Sequence, residues 1–203
     1  LPGSLPEVRI SARAIRNIRI TFKSSILKGE SLPRITVGVS PPVMSMLRRA
    51  LIFFSISLSV LALDQATKSL VVNNIPLNQG YSALADYVDL VHVRNSGAAF
   101  GFFQGSKGST NRWVLTLVSV LALFGILVMT FWIEDTGMLT LTAFALFFGG
   151  AAGNLLDRIF YGEVIDFIDL HIGDIHWPAF NVADSSLCVG AALFCIHILR
   201  QKK

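Results

Sequence analysis

The feature that most constrains this chain is one uncharged run, Trp113 to Ile133, reading WVLTLVSVLALFGILVMTFWI. About 20 apolar residues in a helix match the ~30 Å hydrocarbon core of a bilayer. Tryptophan stands near both ends of the run, where its apolar ring and polar N–H suit the headgroup level. Three further segments follow the same pattern: about Leu47 to Val72, interrupted after Leu63 by Asp64, Gln65 and Lys68; about Met138 to Leu156; and about Val182 to Leu199. Irregular backbone cannot face lipid, so each is expected to be a helix. The expected fold class is an all-α membrane protein with four transmembrane helices and a small extracytoplasmic β element.

Charge divides the chain into two parts. Residues 1–43 carry seven Lys/Arg against Glu7 and Glu30, a balance of +5, while residues 44–203 carry ten bases and eleven acids, a balance of −1. The basic character therefore belongs to a Ser/Arg-rich leader closing at Ser40-Pro41-Pro42, and argues for no nucleic-acid partner of the membrane body. The leader has no long apolar run and is expected to be unstructured: a targeting segment, an expression scar or an over-extended reading frame. The expected domains are thus this leader, 1–43, and a membrane domain, 44–203. Met44 or Met46 makes a natural start for the latter.

Lys/Arg near span ends sets orientation. Arg48 and Arg49 precede the first span, and Arg200, Lys202 and Lys203 follow the fourth. Four spans place both termini on one side, which these charges make cytoplasmic. Between the first two spans, Tyr87 to Val93 reads as a strand, followed by a turn at Asn95-Ser96-Gly97. Phe100, Phe102 and Phe103 then form an aromatic stretch suited to a membrane surface or to ordinary packing. Glu134 to Gly137 is a tight hairpin link. Asp157 to Asn181 is a polar link with two apolar, strand-like stretches.

This alternation gathers the end of the first span, the start of the second, the end of the third and the start of the fourth. Asp64, Asn154, Asp157, Arg158 and Asp184 therefore meet on the extracytoplasmic side, with Asp166 and Asp169 in a loop on that side. Ionisable groups at membrane depth are costly and face a cavity or each other. Two aspartates held close cannot both ionise easily, so one keeps a proton. The ionised one can take a proton from water while the other polarises a carbonyl. From the cluster alone, three readings stay open: an aspartic peptidase, a proton- or ion-coupled carrier, and purely structural pairing.

Four stretches sharpen this. They are Asp64-Gln65-Ala66-Thr67-Lys68; Asn95-Ser96-Gly97-Ala98-Ala99-Phe100; Gly149-Gly150-Ala151-Ala152-Gly153-Asn154-Leu155-Leu156-Asp157-Arg158 running on to Val164-Ile165-Asp166-Phe167-Ile168; and Phe180-Asn181-Val182-Ala183-Asp184-Ser185. In this order and spacing they closely resemble the bacterial lipoprotein signal peptidases, also called signal peptidase II, from about Met44 onward. The resemblance implies an aspartic endopeptidase of the bacterial cytoplasmic (inner) membrane. Such an enzyme removes signal peptides from prolipoproteins, cutting before a cysteine that carries diacylglycerol. It implies membrane lipids as surroundings, and no metal or other cofactor. The catalytic pair of that family falls on Asp166 and Asp184, and its other motif polar residues on Asp64, Lys68, Asn95, Asn154, Asp157, Arg158 and Asn181.

The residue chemistry agrees with those positions. Asp184 opens the fourth helix, where N–H groups stabilise a carboxylate. Asp166 is expected on a loop held against Asp184, with Asn154 and Asn181 orienting the carboxyls through both ends of their amides. Asp157 with Arg158, and Asp64 with Lys68 at i and i+4, read first as structural pairs. Gly149, Gly150 and Gly153 indicate close helix packing or close approach of lipid substrate. Other chemistries fare worse: His171 and His176 form no HExxH motif, His92 and His197 look incidental, and no lysine is fixed against Ser185 or Ser69 for a Ser–Lys peptidase. GxGD is absent. Cys188 and Cys195, seven apart on one helix, are too distant to bond to each other and read as small buried hydrophobes.

Overall fold

The computed structural model describes residues 18–21, 36–39, 44–84, 87–97, 109–132 and 137–201. The chain divides into two units, Leu1–Met44 and Ser45–Lys203. In the first, β1 (Ile18–Thr21) pairs antiparallel with β2 (Thr36–Val39), Ile18 opposite Val39 and Thr21 opposite Thr36. The sequence reading assigns this stretch no element; the ladder is built mostly from Ile, Val and Thr, whose branched side chains favour extended backbone.

The second unit runs α1 (Met46–Asn74), β3 (Gly80–Leu84), β4 (Val88–Asn95), α2 (Ser109–Trp132), α3 (Met138–Phe160), β5 (Val164–Ile172), β6 (Ile175–His176) and α4 (Val182–Gln201). Among the described residues, these four helices are each long and apolar enough to cross a membrane. With the four-span pattern they form a multi-pass membrane protein with a small antiparallel sheet. Their bounds follow the hydropathy reading to within about a turn, the second starting four residues early at Ser109 and the third continuing four residues past Leu156 to Phe160, which carries Asp157 and Arg158 on helix. At 1.5 Å per residue, the 29 residues of α1 are about 43 Å long, more than the hydrocarbon core requires. The Phe100–Phe103 stretch and residues 134–136 of the expected hairpin link lie outside the described residues.

Helix α3 is the centre of the bundle: half of its span is buried inside the protein, against 6% of the α2 span. Glycines make this possible. A Cβ on Gly149 would lie 2.8 Å from both the Ser57 carbonyl oxygen and the Val60 Cβ of α1, and one on Gly150 would lie 2.6 Å from the Ala183 carbonyl oxygen of α4. Close helix packing is thus what these glycines serve. Further along α1, the Phe53 ring packs 5.3 Å from Phe148 and 5.8 Å from Phe131, centroid to centroid. Helix α4 buries Ala183, Ser186 and Gly190, one stripe at helical spacing. Cys188 and Cys195 fall off that stripe and are exposed, not buried as their residue type suggests.

The sheet has the order β3-β4-β5-β6, antiparallel throughout. It docks on the far end of α1 through a core of Val71, Ile75, Ile165 and Phe167, with Val72, Leu90, Ile168 and Val182 packed around it. Asp166 is on strand β5, not on a loop as the sequence reading has it. Val164 to Phe167 are buried on both faces, and a segment covered on both sides needs its backbone paired. On one side β4 supplies that pairing, with an irregular register between Leu90 and Val93. On the other, Phe180 O accepts from Phe167 N at 3.0 Å and Ile168 N at 2.8 Å, and Phe180 N donates to Ile168 O at 3.0 Å. That bridge sets Asn181 and the start of α4 beside Asp166.

Candidate active site

Beneath the sheet lies a buried ionic knot. Lys68 on α1 is 1% exposed, and its Nζ sits 2.8 Å from Asp64 Oδ2, 2.7 Å from Asp157 Oδ2 and 2.9 Å from Asn154 Oδ1. Two fully buried carboxylates would be costly without such partners. Both carboxylates also hold backbone: Asp64 Oδ1 accepts from Ala183 N at 2.9 Å, in the first turn of α4, and Asp157 Oδ2 accepts from Ile165 N at 3.1 Å, at the start of β5. Gln65 Nε2 donates to Asp157 Oδ1 at 3.0 Å, and to Asp64 Oδ2 and Gly153 O at 3.2 Å each. The knot thereby joins α1, α3, α4 and β5. Gln65 was not among the expected site residues; its signal was a polar side chain between two charged ones inside an apolar span.

Asp64 and Lys68 therefore meet as i, i+4 neighbours, but Asp157 pairs with Lys68 and not with Arg158. The correction follows from helix geometry, since adjacent residues point about 100° apart. Among the described residues Arg158 makes no ion pair; its Nη1 donates to Asn154 O at 3.3 Å. The turn it belongs to is held from outside by Arg112, which donates to Arg158 O at 3.1 Å and Ile159 O at 2.8 Å.

Above the knot stand Asp166 and Asp184, each with both oxygens engaged. Asp166 Oδ1 accepts from Asn181 Nδ2 at 2.7 Å and Oδ2 from Asn95 Nδ2 at 3.0 Å. Asp184 Oδ1 accepts from Asn154 Nδ2 at 2.8 Å and Oδ2 from Asn181 N at 3.3 Å. In return Asn181 Oδ1 accepts from Asp184 N at 2.9 Å. This is a reciprocal cap at the start of α4, with Asn and Asp in the places where Ser/Thr and Glu are common. Asn181 touches both aspartates and also donates to Asn154 Oδ1 at 3.3 Å and Ile165 O at 3.1 Å. Asn95 reaches Asp166 because Val93 lies opposite Asp166 and Asn95 opposite Val164, making Asn95 its diagonal neighbour on the same face.

All nine residues expected at the site thus converge: six in direct contact with one another around Lys68 and Asn154, Asn95 and Asp166 through Asn181, and Arg158 one turn from Asn154. Burial pushes the Asp166 carboxyl up to about 6; the negative charge of Asp184 adds to this, while the hydrogen bonds from Asn95 and Asn181 oppose it. A carboxyl titrating there beside a second carboxylate can give and take protons near neutral pH.

A family model described as Signal peptidase (SPase) II matches residues 56–200. The chain is 44% identical to the lipoprotein signal peptidase of Oleidesulfovibrio alaskensis over 154 residues, 76% of this chain and 98% of that one. It is 43% identical to that of Geobacter sulfurreducens over 153 residues, 75% of this chain and 94% of that one. A solved bacterial membrane enzyme, determined by the in meso method at 2.3 Å, superposes with a TM-score of 0.68 at 27% identity, covering 79% of this chain and 93% of that chain. A second, at 1.9 Å, does so at 0.65 and 28%, covering 77% and 96%. Among the three readings that the aspartate cluster left open, these matches decide for the peptidase. The chain belongs to the signal peptidase II family, the aspartic peptidases that remove signal peptides from prolipoproteins.

Proposed function

We propose that Asp166 and Asp184 are the catalytic pair of this peptidase and that Asn95, Asn154 and Asn181 orient them. The observation that carries the reading is the meeting of the two carboxylates on one residue, Asn181, whose side-chain amide donates to Asp166 and whose backbone N donates to Asp184, from a strand and a helix that the rest of the fold pins together. The pair shares one proton and titrates jointly. Its ionised member takes a proton from a water molecule, whose oxygen attacks the scissile carbonyl carbon. The protonated member donates to the carbonyl oxygen. Collapse of the tetrahedral intermediate breaks the C–N bond: the departing amine takes the proton gained from water, and a hydroxyl proton of the intermediate returns to the other aspartate, restoring the shared proton. Asp64, Lys68, Asp157 and Gln65 hold the elements that carry the pair, and Arg158 completes the polar set around it.

The substrate is a prolipoprotein with diacylglycerol on the cysteine that follows the cut, and membrane lipids surround the four spans. The protein lies in the bacterial cytoplasmic membrane with both termini cytoplasmic, supported by Arg48, Arg49 and Arg200 at the same end of the bundle. The site then opens on the extracytoplasmic side. Residues 44–203 are the peptidase domain, and residues 1–43 are dispensable to it. The test of the pair is cleavage of a diacylated prolipoprotein, read by gel shift, per amount of folded protein in detergent. Asp166→Asn and Asp184→Asn should each abolish cleavage. The double variant should be hardly worse, since members of a catalytic unit are non-additive. Substantial activity in either well-folded single variant sinks the assignment.

A further inference from the structure

Which end of a side-chain amide faces a carboxylate decides how that carboxylate is held, because one end donates and the other accepts. Around this site three asparagines each turn their NH₂ end to an aspartate, and each has its oxygen pinned by a group that only donates. For Asn181 the pin is Asp184 N at 2.9 Å, and for Asn95 it is Gly97 N at 3.0 Å. Both are backbone groups, fixed by the chain. For Asn154 the nearest pin is a side chain, Lys68 Nζ at 2.9 Å.

We propose that Lys68 is a positioning residue for cleavage: its ammonium fixes the Asn154 amide so that the NH₂ end faces Asp184. The inference rests on Asp184 being half of the catalytic pair. An ammonium has three hydrogens and accepts nothing. Here the three are spent on Asp64, Asp157 and Asn154, at 2.8, 2.7 and 2.9 Å. Turned round, Asn154 would press its NH₂ hydrogens on the ammonium and its oxygen on the Asp184 carboxylate. Without the ammonium, the Asn154 oxygen keeps only the longer 3.3 Å bond from Asn181 Nδ2, and once Asp184 is protonated its own 2.8 Å contact no longer selects the NH₂ end. A reversed Asn154 accepts from a protonated Asp184 and so favours the doubly protonated, inactive form of the pair.

The experiment measures full-length Lys68→Met, Asn154→Leu and the double variant on diacylated prolipoprotein in detergent, per amount of folded protein, across pH. Removing an outer group that orients a metal ligand typically costs 10- to 100-fold, and Lys68 stands in the same relation to the Asn154 amide. Lys68→Met should therefore lower kcat by about that factor, leave KM within about twofold, and move the acid limb of the rate profile upward. The double variant should be no slower than Asn154→Leu, because Lys68 acts through Asn154. Should Lys68→Met leave Asp64 and Asp157 too poorly compensated to fold, Asp64→Asn with Lys68→Met, compared with Asp64→Asn alone, carries the same comparison. An asparagine at 64 still accepts from Ala183 N. A wild-type kcat and profile in the lysine variant overturns the proposal, as do losses that multiply in the double variant or full activity in Asn154→Leu. Loss of cleavage in Asp184→Asn alongside any of these leaves the catalytic pair standing and removes Lys68 alone.

Discussion

Replacing Gly153 with alanine would set a methyl carbon against the Asp64 carboxylate and 3.4 Å from Ala183 Cβ. The carboxylate has nowhere easy to go, since Lys68 holds it at 2.8 Å and Ala183 N at 2.9 Å. Forcing a methyl into a filled site costs about 1–3 kcal/mol. Losing the Ala183 bond, a hydrogen bond to a charged acceptor, costs about 1.5–3 kcal/mol more. Alanine returns at most about 1 kcal/mol of helix propensity over glycine. The expected net destabilisation is therefore about 1.5–5 kcal/mol. Cleavage should fall as well, because the displaced carboxylate anchors the turn that carries Asp184. Gly125→Ala, where nothing lies within 4 Å of the new carbon, is the control and should be neutral or slightly stabilising. The assay is denaturant unfolding in detergent, followed by tryptophan fluorescence, with cleavage measured on the same samples. A Gly153→Ala protein within about 1 kcal/mol of the Gly125→Ala control would refute the close fit on which this reasoning depends.

Asp166 titrates at about 6 in the folded protein, above the unfolded carboxylate value of about 4. Its contribution is therefore fully present below pH 4 and lost as pH rises through 6. Asp166→Asn should lack that slope, and melting midpoints in detergent from pH 4 to pH 7 check it; parallel curves for the two proteins would contradict it. A chain beginning at Met44 or Met46 should insert and cleave normally, and one that inserts but does not cleave would overturn the dispensability of residues 1–43. A prolipoprotein lacking diacylglycerol should be cut far more slowly, since each buried CH₂ contributes about 0.8 kcal/mol. Equal rates for the two forms would remove lipid recognition from the reading.

The spans were legible because bilayer thickness imposes a length and a composition that few other structures need. Part of the site is legible for a related reason: alternation of spans assigns each charged residue an end of the bundle, and Asp64, Asn154, Asp157 and Asp184 share one, whereas Lys68, Asn95 and Asn181 are reached only through the resemblance of their motifs. The pairings are not. Asn181 reaches Asp166 across 15 positions and Asn95 reaches it across 71, through a strand register that no local pattern announces. Strand β3 is exposed at all five positions, so it shows none of the alternation that marks a half-buried strand. An acid in a polar link reads as a loop residue because such acids are usually solvated, yet the strand around Asp166 is buried on both faces. Adjacency in sequence suggests Asp157 with Arg158, yet a helix turns neighbours apart and Asp157 meets Lys68.

The knot around Lys68 also bears on when the protein can work. Synthesis proceeds from α1 to α4, and α1 and α3 can bring Lys68 to Asp64 and Asp157 as soon as both are in the membrane. Asp64 then lacks its bond to Ala183 N, Asn181 has no helix to cap, and Asp184 is still unmade or unplaced. The site therefore closes only with the arrival of the last span. With Asp166 and Asp184 as the proposed pair, a chain stalled between β6 and α4 would carry Asp166, three of the four helices and both ion pairs of Lys68, yet leave every signal peptide uncut.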